Sequence, residues 1–395
     1  MKSVNSILIM LLLVVAGCGE SKPPTDDLIT VNVTANYPKK ELILQDFMDV
    51  EYIPLETSSE FITMGWLHAV GKKVIVVRNR NRNTDGDIFI FDRSGKAVNK
   101  INRLGQGNEE YQFLLGITLD EDNNEIFVND HWRKKIMVYD LSGNFKRSFD
   151  HKQGWYGMDI YNFDRDNLIC RINGTDDNDN SNAFVVVSKQ DGSITKGISI
   201  PYKKKISSLV FSADSSYVMP IRNRTLVPHR GDSWMLMYDP ADTIYKLRTD
   251  YSLAPLIART PPIGLMNPRI FLYPAVVTDR FYFMQTVKAE WDWVANTGHK
   301  RTDLMYDKQE NAIFEYVVKN ADYPNEQPVS MMVSEITFGN DEIALVQKLE
   351  AYELIEAYQK GHLKGRLKEI AAGLEEDSNP VLMLIKYYCC PIKLL

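Results

Sequence analysis

A strand–turn–strand unit recurs along this chain at a nearly constant interval. Ile88–Asp92 is followed by Ser94-Gly95 and a second strand-like run, and Ile136–Asp140 is followed by Ser142-Gly143 in the same way. These two glycines are 48 residues apart, and Asp191-Gly192 lies 49 residues after the second one. Glycine reaches φ > 0 without strain, so a Ser-Gly or Asp-Gly step between β-rich runs indicates a tight hairpin.

Two further strand-like runs precede each hairpin, such as Leu115–Leu119 and Glu125–Asn129 ahead of the second one. In the fourth copy, Trp234–Asp239 and Thr243–Leu247 take the place of the hairpin. Four strands in about 40–50 residues is the period of a propeller blade. The sequence therefore predicts an all-β fold, a six-bladed β-propeller. Its blades are expected at 66–101, 114–149, 157–199, 208–247, 270–318 and 331–388.

The last unit differs from the others in two ways. It has three strand-like runs, the first at Met331–Phe338, while Met48–Thr57 is a strand without a partner at the front of the chain. We expect 48–57 to pair into the last blade, which would close the ring and remove a free sheet edge. Apolar residues at helical spacing between Val346 and Leu374 predict a C-terminal helical insertion in that blade, interrupted near Gly361 and Gly365. We interpret the insertion as a cover over blade edges.

The N-terminus has the parts of a secretory signal. Lys2 precedes an apolar run from Ile7 to Ala16, which is shorter than the roughly 20 residues of a transmembrane helix. Val15–Cys18 resembles a bacterial lipobox, which implies that residues 1–17 are removed and that Cys18 carries lipid. An ordinary signal peptide with an incidental cysteine is the alternative. Residues 18–45 would then form a tether and lead-in to a propeller at 46–395, held on a membrane of the cell envelope, either in the periplasm or at the surface.

Composition excludes two classes of protein. The net charge of −6 leaves no basic excess to neutralise phosphates, so nucleic acid is not an expected partner. Four cysteines in 395 residues exclude a disulfide-built scaffold. If Cys18 carries lipid, Cys170, Cys389 and Cys390 remain, and a disulfide between the last two, being adjacent, would be strained.

One stretch of the second blade carries a family resemblance. Arg103–Tyr111, Ile117–Asp120, Glu125–Asp130 and Ile136–Asp140 together resemble an NHL-type propeller repeat. The whole chain resembles the six-bladed β-propeller lipoproteins of Bacteroidota, a family without an established general activity. Four segments carry that resemblance: Tyr52–Thr57, Gly105–Tyr111, Asp242–Tyr245 and Asn379–Leu384. The family's usual Gly-Pro-Gly-Glu-Tyr reads Gly107-Asn-Glu-Glu-Tyr111 here. The resemblance implies fold and location more than function.

Candidate ligand residues come from the loops between blades. In a propeller, connections from the outermost strand of one blade to the innermost strand of the next lie on one face, where pockets form around the channel. Such connections are expected at 103–111, 150–157, 201–207, 249–268 and 319–328. The candidate ligand face is Arg103, Gln106, Glu110, His151, Trp155 and Lys204. The alternative is a set of solvated turns in which Arg103 and Glu110 pair across their loop.

No motif for metal or covalent chemistry occurs. The acidic run Asp176–Asn180 fails as an EF-hand, because Asn182 stands where that loop needs Gly and Ser188 where it needs Glu. The six histidines show no ligand spacing, and no Gly-x-Ser-x-Gly, His-Glu-x-x-His or phosphate loop is present. We predict no metal site and no cofactor, with calcium held by dispersed residues in the central channel left open.

The expected function is non-enzymatic. We interpret the chain as a ligand-binding or scaffolding protein whose partner is a small molecule, a glycan or a protein. The alternative is a metal-dependent hydrolase or lyase, lactonase-like, with its site in the central channel. A third reading is a constitutive subunit of an envelope complex, which a large apolar patch on one face would favour. The pair Trp291 and Trp293 could stack on a sugar, or could form the core of a hairpin.

Overall fold

The computed structural model describes residues 28–79, 85–152, 160–172, 182–229, 233–323, 327–332, 337–338 and 340–388. Cys18, Trp155, the acidic run Asp176–Asn180 and the pair Cys389 and Cys390 lie outside these residues. Three strands precede the first blade: β1 (Ile29–Asn32), β2 (Lys39–Ile43) and β3 (Asp49–Pro54). A 3₁₀ turn at Leu44–Asp46 separates β2 from β3.

The first three blades each contain four consecutive antiparallel strands. Blade 1 consists of β4 (Trp66–Val70), β5 (Val74–Arg78), β6 (Asp87–Asp92) and β7 (Ala97–Asn102). Blade 2 consists of β8 (Leu114–Asp120), β9 (Glu125–Asp130), β10 (Lys135–Asp140) and β11 (Phe145–Asp150). Blade 3 consists of β12 (Ile160–Asn162), β13 (Asn167–Arg171), β14 (Phe184–Ser188) and β15 (Ile194–Ile198).

The remaining blades carry insertions. A separate hairpin, β16 (Leu209–Phe211) and β17 (Val218–Pro220), precedes blade 4, which is β18 (Leu226–His229), β19 (Ser233–Leu236), β20 (Thr243–Leu247) and β21 (Leu253–Thr260). A 3₁₀ turn, Ile263–Leu265, leads to blade 5. In chain order this blade has β22 (Ile270–Val277), β23 (Phe281–Lys288), an inserted hairpin β24 (Trp291–Asp292) and β25 (Thr297–Gly298), then β26 (Arg301–Asp307) and β27 (Ala312–Lys319).

The chain ends in blade 6. The short strand β28 (Pro328–Val329) still pairs with β27 of blade 5. It is followed by β29 (Thr337–Phe338), β30 (Ile343–Leu349), α1 (Ala351–Gln359), α2 (Gly365–Ala371) and β31 (Val381–Lys386). The predicted six-bladed β-propeller with a helical insertion in its last blade is therefore confirmed. Leu354, Leu367 and Ile370 of the insertion are buried in the same core cluster as Tyr52 of β3 and Met383 of β31, and α2 contacts β3, which agrees with a covering role.

The inner blade strands are buried along almost their whole length because neighbouring blades cover both faces of each sheet. Val74–Arg78 of β5 and Glu125–Asp130 of β9 show this pattern, with consecutive buried residues rather than alternating ones. The innermost strands β4, β8, β12, β18 and β22 line the central channel, and contacts join β4 to β8, β8 to β12 and β18 to β22. In blade 6, β29 pairs in parallel with β4.

The glycines of the recurring hairpin occupy equivalent positions in their blades. Gly95 and Gly192 lie between the third and fourth strands of blades 1 and 3, with φ of +87° and +67°. Each turn packs against the outer strand of the preceding blade, so a Cβ on Gly95 would lie 2.1 Å from the carbonyl oxygen of Pro54. A Cβ on Gly192 would lie 2.3 Å from the ring of Phe149. Glycine therefore recurs at this position for two reasons: the positive φ of the turn and the close contact of the turn with the preceding blade.

Three N-terminal strands complete the outer edges of blades 4, 5 and 6. β1 runs parallel to β21, with Ile29 opposite Ile257, and β2 runs parallel to β27. β3 pairs antiparallel with β31, with Tyr52 opposite Met383. Residues 29–43, which the sequence analysis placed in a lead-in before position 46, are thus part of the ring.

The bounds of blade 4 differ from those predicted from the sequence. Its four strands span 226–260 instead of 208–247, so Thr243–Leu247 is the third strand and Leu253–Thr260 the outermost. The prolines at 255, 261 and 262 make this outermost strand read as a loop in the sequence. The run at 209–220 forms the separate hairpin β16–β17, whose exposed side chains do not suit a strand packed between blades.

Residues 331–338 were expected as the first strand of the last blade. Thr337 and Phe338 pair in parallel with Ala69 and Val70 of blade 1, and residues 333–336 and 339 lie outside the described residues, so that first strand stays a prediction. Among the described residues, the sheet of blade 6 contains β30, β31 and β3. A parallel bridge to blade 1 gives the short segment hydrogen-bond partners across the junction where the chain ends meet.

Candidate functional site

The two faces of the ring differ in which turns they carry. Each innermost strand runs from one face to the other, as β8 does from Leu114 to Asp120. We call the end at Leu114 the connection face, because the segments that join successive blades emerge there. We call the end at Asp120 the pocket face, because the turns between the first and second strands of the blades emerge there.

A cavity of about 650 Å³ occupies the pocket-face end of the central channel. This volume lies within the range of small-molecule sites, roughly 300–1,000 Å³. All six blades contribute to its lining. The residues are Lys72, Asp120, Asp122, Asn123, Asn162–Arg165, Val227–His229, Ser233, Trp234, Thr249, Val276, Asn340, Asp341, Ile343, Ala344 and Tyr387.

The floor and one wall of the cavity are apolar and aromatic. Val227, Val276 and Ile343 are buried at its floor. On the wall, the ring of Phe163 stacks on Trp234 with centroids 6.3 Å apart and an interplanar angle of 26°. Tyr251 continues this stack on Phe163 at 5.8 Å and 20°. Blades 3 and 4 thus present a continuous aromatic surface beside the cavity.

Polar groups surround that apolar surface. The Oδ1 atom of Asn162 is buried and accepts no hydrogen bond in the described part of the chain. Lys72, Asp122, Arg165 and Asp341 are exposed and bring both signs of charge to the rim. A buried acceptor without a donor is costly, and a ligand that donates a hydrogen bond would satisfy it.

The wall between blades 2 and 3 is fixed by a buried ion pair. Lys189 Nζ lies 2.6 Å from Asp120 Oδ2 and also donates to the carbonyl oxygens of Asp164 and Arg165, at 2.6 and 3.1 Å. Asn123 Nδ2 donates to Asp120 Oδ2 at 2.8 Å and to the Arg165 carbonyl at 2.9 Å. These bonds hold two of the lining turns together, so the cavity is formed before any ligand arrives.

The predicted loop 103–111 is engaged in its own hydrogen bonds on the connection face. Arg103 Nε donates to the Gly143 carbonyl at 3.0 Å, and the Glu110 carboxylate accepts the Gly107 N–H at 2.7 Å. Arg133 Nη1 donates to the Gly107 carbonyl at 2.6 Å. Arg103 and Glu110 therefore bind backbone groups, and the expected pairing between them is not what the structure shows.

The other predicted residues also lie away from the cavity. Gln106 and Lys204 are exposed on the connection face, and His151 is half-buried there. Burial, and after it nearby His131, lowers the pKa of His151 to about 4, while Asp130 and Asp150 oppose the shift. The structure does not bring these three side chains together into one pocket. The cavity residues were missed because Asp120–Asn124 and similar stretches read as ordinary inter-strand turns.

Within the described ranges, no three His, Cys, Asp or Glu side chains are grouped as a metal site would need. Cys170 is a buried thiol. None of the helices in that part of the chain has the length and apolar character needed to cross a bilayer.

Comparison with known proteins agrees with this architecture. A family model for DUF5128, described as a six-bladed β-propeller, matches residues 20–348. The chain belongs to the DUF5128 family. No curated protein matches it. The predicted relationship to six-bladed Bacteroidota propellers is confirmed.

Two solved Bacteroides structures are similar to this DUF5128 propeller. One is a Bacteroides fragilis protein whose name proposes that it is exported; it has 15% identity and a TM-score of 0.59, with 91% of this chain and 99% of that one covered. The other is a DUF4221 member from Bacteroides vulgatus, with 11% identity, 87% and 98% coverage and a TM-score of 0.47. At these identities, the first comparison supports the fold alone.

Proposed function

We propose that this DUF5128 propeller is an exported, lipid-anchored protein that binds a small ligand in the channel cavity without transforming it. The observation that carries the proposal is the cavity itself, which has an apolar floor, an aromatic wall and a buried acceptor on Asn162. Ligand pockets combine a mostly apolar lining with a few placed polar groups in this way.

The residues that line the cavity favour one chemical class of ligand. The stack of Trp234 and Phe163 offers contact to an apolar ring or ring face, and Asn162 Oδ1 calls for a hydroxyl or amine donor. The rim residues Lys72, Asp122, Arg165 and Asp341 do not favour a strongly charged ligand of either sign. A saccharide of one or two units has the required apolar face, hydroxyl donors and size.

The location of the protein is part of the proposal. The signal-like segment up to Ala16 and the lipobox at Val15–Cys18 support export and attachment to a membrane of the cell envelope. The name of the B. fragilis neighbour proposes export as well. A membrane-held binding protein could also act as a scaffold for envelope partners, which is the second role that the sequence suggested.

A thermal-shift measurement against a panel of neutral and amino sugars tests ligand binding. We expect at least one sugar to raise the melting temperature of the purified protein. Asn162→Ala should weaken that binding about tenfold, because it removes the acceptor that the ligand satisfies. Thr249→Trp should block it by filling the mouth of the cavity.

Lys204→Ala is the matched control, since Lys204 is exposed on the opposite face. Binding that Lys204→Ala abolishes and Asn162→Ala leaves intact would reject the cavity in favour of the connection face. Metal in the purified protein by elemental analysis, together with consumption of the bound sugar, would favour the hydrolase or lyase alternative instead.

A further inference from the structure

Exposed apolar side chains are unevenly distributed between the two faces. In the described part of the chain, the connection face carries most of the large ones, including Ile62, Trp132, Phe211, Tyr217, Leu265 and Val294. At the pocket-face ends of the described strands, the exposed large apolar residues include Tyr388, after β31, and Ile194, at the start of β15. Isolated exposed apolar residues are normal, but a strong bias toward one face marks a contact surface.

The most exposed of these residues stand at the tips of segments that the ring does not require. Val294 is 99% exposed at the turn of the inserted hairpin β24–β25, and Leu265 is 80% exposed at the 3₁₀ turn before blade 5. Tyr217, on hairpin β16–β17, is 69% exposed. Turn tips in solvent are ordinarily polar. Apolar side chains at the tips of these inserted segments therefore indicate contact with a partner rather than a role in stabilising the fold.

The two hairpins brace one another. The ring of Tyr217 lies 6.3 Å from that of Trp293, although one hairpin precedes blade 4 and the other is inserted between two strands of blade 5. Asp292 accepts the N–H groups of Val294 and Ala295, both at 2.9 Å, so its charge is directed into its own turn. The apolar tip at Val294 is therefore presented on a supported turn, with the nearest carboxylate already hydrogen-bonded.

The distribution of the tips around the ring indicates the shape of the partner. Ile62 lies between blades 6 and 1, Trp132 on blade 2, Tyr217 between blades 3 and 4, Leu265 between blades 4 and 5, and Val294 on blade 5. A partner protein would favour one contiguous patch. Separate tips spread around one face suit a planar, deformable surface into which each can insert.

We infer that the connection face rests on a phospholipid bilayer, with Val294, Leu265 and the β16–β17 hairpin inserted among the headgroups. The exposed run Lys203-Lys204 lies directly before β16 and would favour anionic lipids. The chain from Cys18 to Leu28 can extend at most about 35 Å, which lets either face of the ring reach the membrane, so the apolar tips and the lysines rather than the tether select the connection face. The cavity would then open away from the bilayer. The inference rests on the proposed envelope location, but its test does not use the lipid.

Cosedimentation with vesicles tests the contact directly. The mature chain from position 18 with Cys18→Ser, which carries neither the signal-like segment nor lipid, should bind vesicles of phosphatidylethanolamine with phosphatidylglycerol and bind pure phosphatidylcholine more weakly. Val294→Asp and Leu265→Asp should each lower the partition coefficient about tenfold, since each removes one inserted apolar side chain. Both residues are exposed, so the melting temperature should stay unchanged.

Val98→Asp is the matched control, because Val98 is 58% exposed on the outer strand β7 and not on the connection face. Equal loss of binding in Val98→Asp, or no vesicle binding by the Cys18→Ser chain, would overturn the inference. A dimer in light scattering that Val294→Asp dissociates would also overturn it, by assigning the face to a second copy. Sugar binding and Cys18-dependent fractionation are separate measurements, so failure here is distinguishable from failure of the proposed function.

Discussion

Lys189 Nζ lies 2.6 Å from Asp120 Oδ2, and both side chains are only 2% exposed. The pair joins blade 3 to blade 2 beneath the wall of the cavity. Lys189→Met should lower the free energy of unfolding by about 3–5 kcal/mol, because it leaves the Asp120 carboxylate buried without its cation. Urea denaturation measures this loss.

The double variant Asp120→Asn, Lys189→Met is the control for that pair. It should be more stable than Lys189→Met alone, since it removes the uncompensated charge. A double variant that is less stable than both single variants would show that packing, rather than charge, dominates this site.

Gly95 offers a test of the blade-to-blade turn. Gly95→Ala should destabilise the protein by roughly 2–4 kcal/mol, because a Cβ at φ +87° is strained and would also collide with the Pro54 carbonyl. Gly361→Ala is the matched control: its φ is +71°, but no atom lies within 4 Å of the added Cβ. The difference between the two melting temperatures isolates the contact, and equal melting temperatures would rule it out.

The blade repeat could be predicted because its signal is local. Ser94-Gly95 and Ser142-Gly143 mark turns whose conformation depends on a few neighbouring residues, and the interval between them sets the period. The repeat pattern led to wrong strand bounds in blade 4, where the local sequence signals conflict with the way the strands pack. Pro255 lies inside the outermost strand of blade 4, where the parallel pairing of β1 with β21 completes the edge, and no local rule shows that pairing.

The cavity could not be predicted in the same way. Asn162, Trp234 and Ile343 come from three different blades, and each looks unremarkable in its own turn or strand. They converge only because strand register and blade order place them at one end of the channel. The loop residues Arg103 and Glu110 looked more like a site because charged residues cluster there in sequence, yet their side chains bind backbone groups of nearby turns.

His151 predicts a pH dependence of stability. Burial lowers the pKa of its imidazole to about 4, against about 6.5 in the unfolded chain. The unfolded state therefore binds more protons between these values, and stability from this group is present above pH 6.5 and lost as the pH falls toward 4. His151→Gln should show a flatter melting-temperature profile over that window. Parallel profiles for the variant and the wild type would contradict the assignment.

Cys18 predicts membrane attachment. Cys18→Ala should move the protein from the membrane fraction to the soluble fraction of the envelope, because a lipidated cysteine is the attachment that the lipobox implies. Cell fractionation with metabolic labelling by a fatty acid measures both consequences. Cys170→Ala is the control, since Cys170 is a buried thiol of blade 3 and its replacement should leave labelling intact. Unchanged labelling in Cys18→Ala would refute the anchor.

The N-terminal strands predict two different outcomes on truncation. A chain starting at position 37 loses β1, whose Ile29 and Val31 are buried, each side chain contributing about 1.5–3 kcal/mol. It should fold with a lowered melting temperature, because blade 4 keeps its own four strands. A chain starting at position 58 also loses β2 and β3, and β3 forms the outer strand of blade 6 and packs Ile53 between blades 6 and 1. That chain should show no cooperative thermal transition, since blade 6 would lose the strand that completes its outer edge and the ring would be open. Cooperative unfolding of the second truncation near the melting temperature of the first would show that β3 does not close the ring.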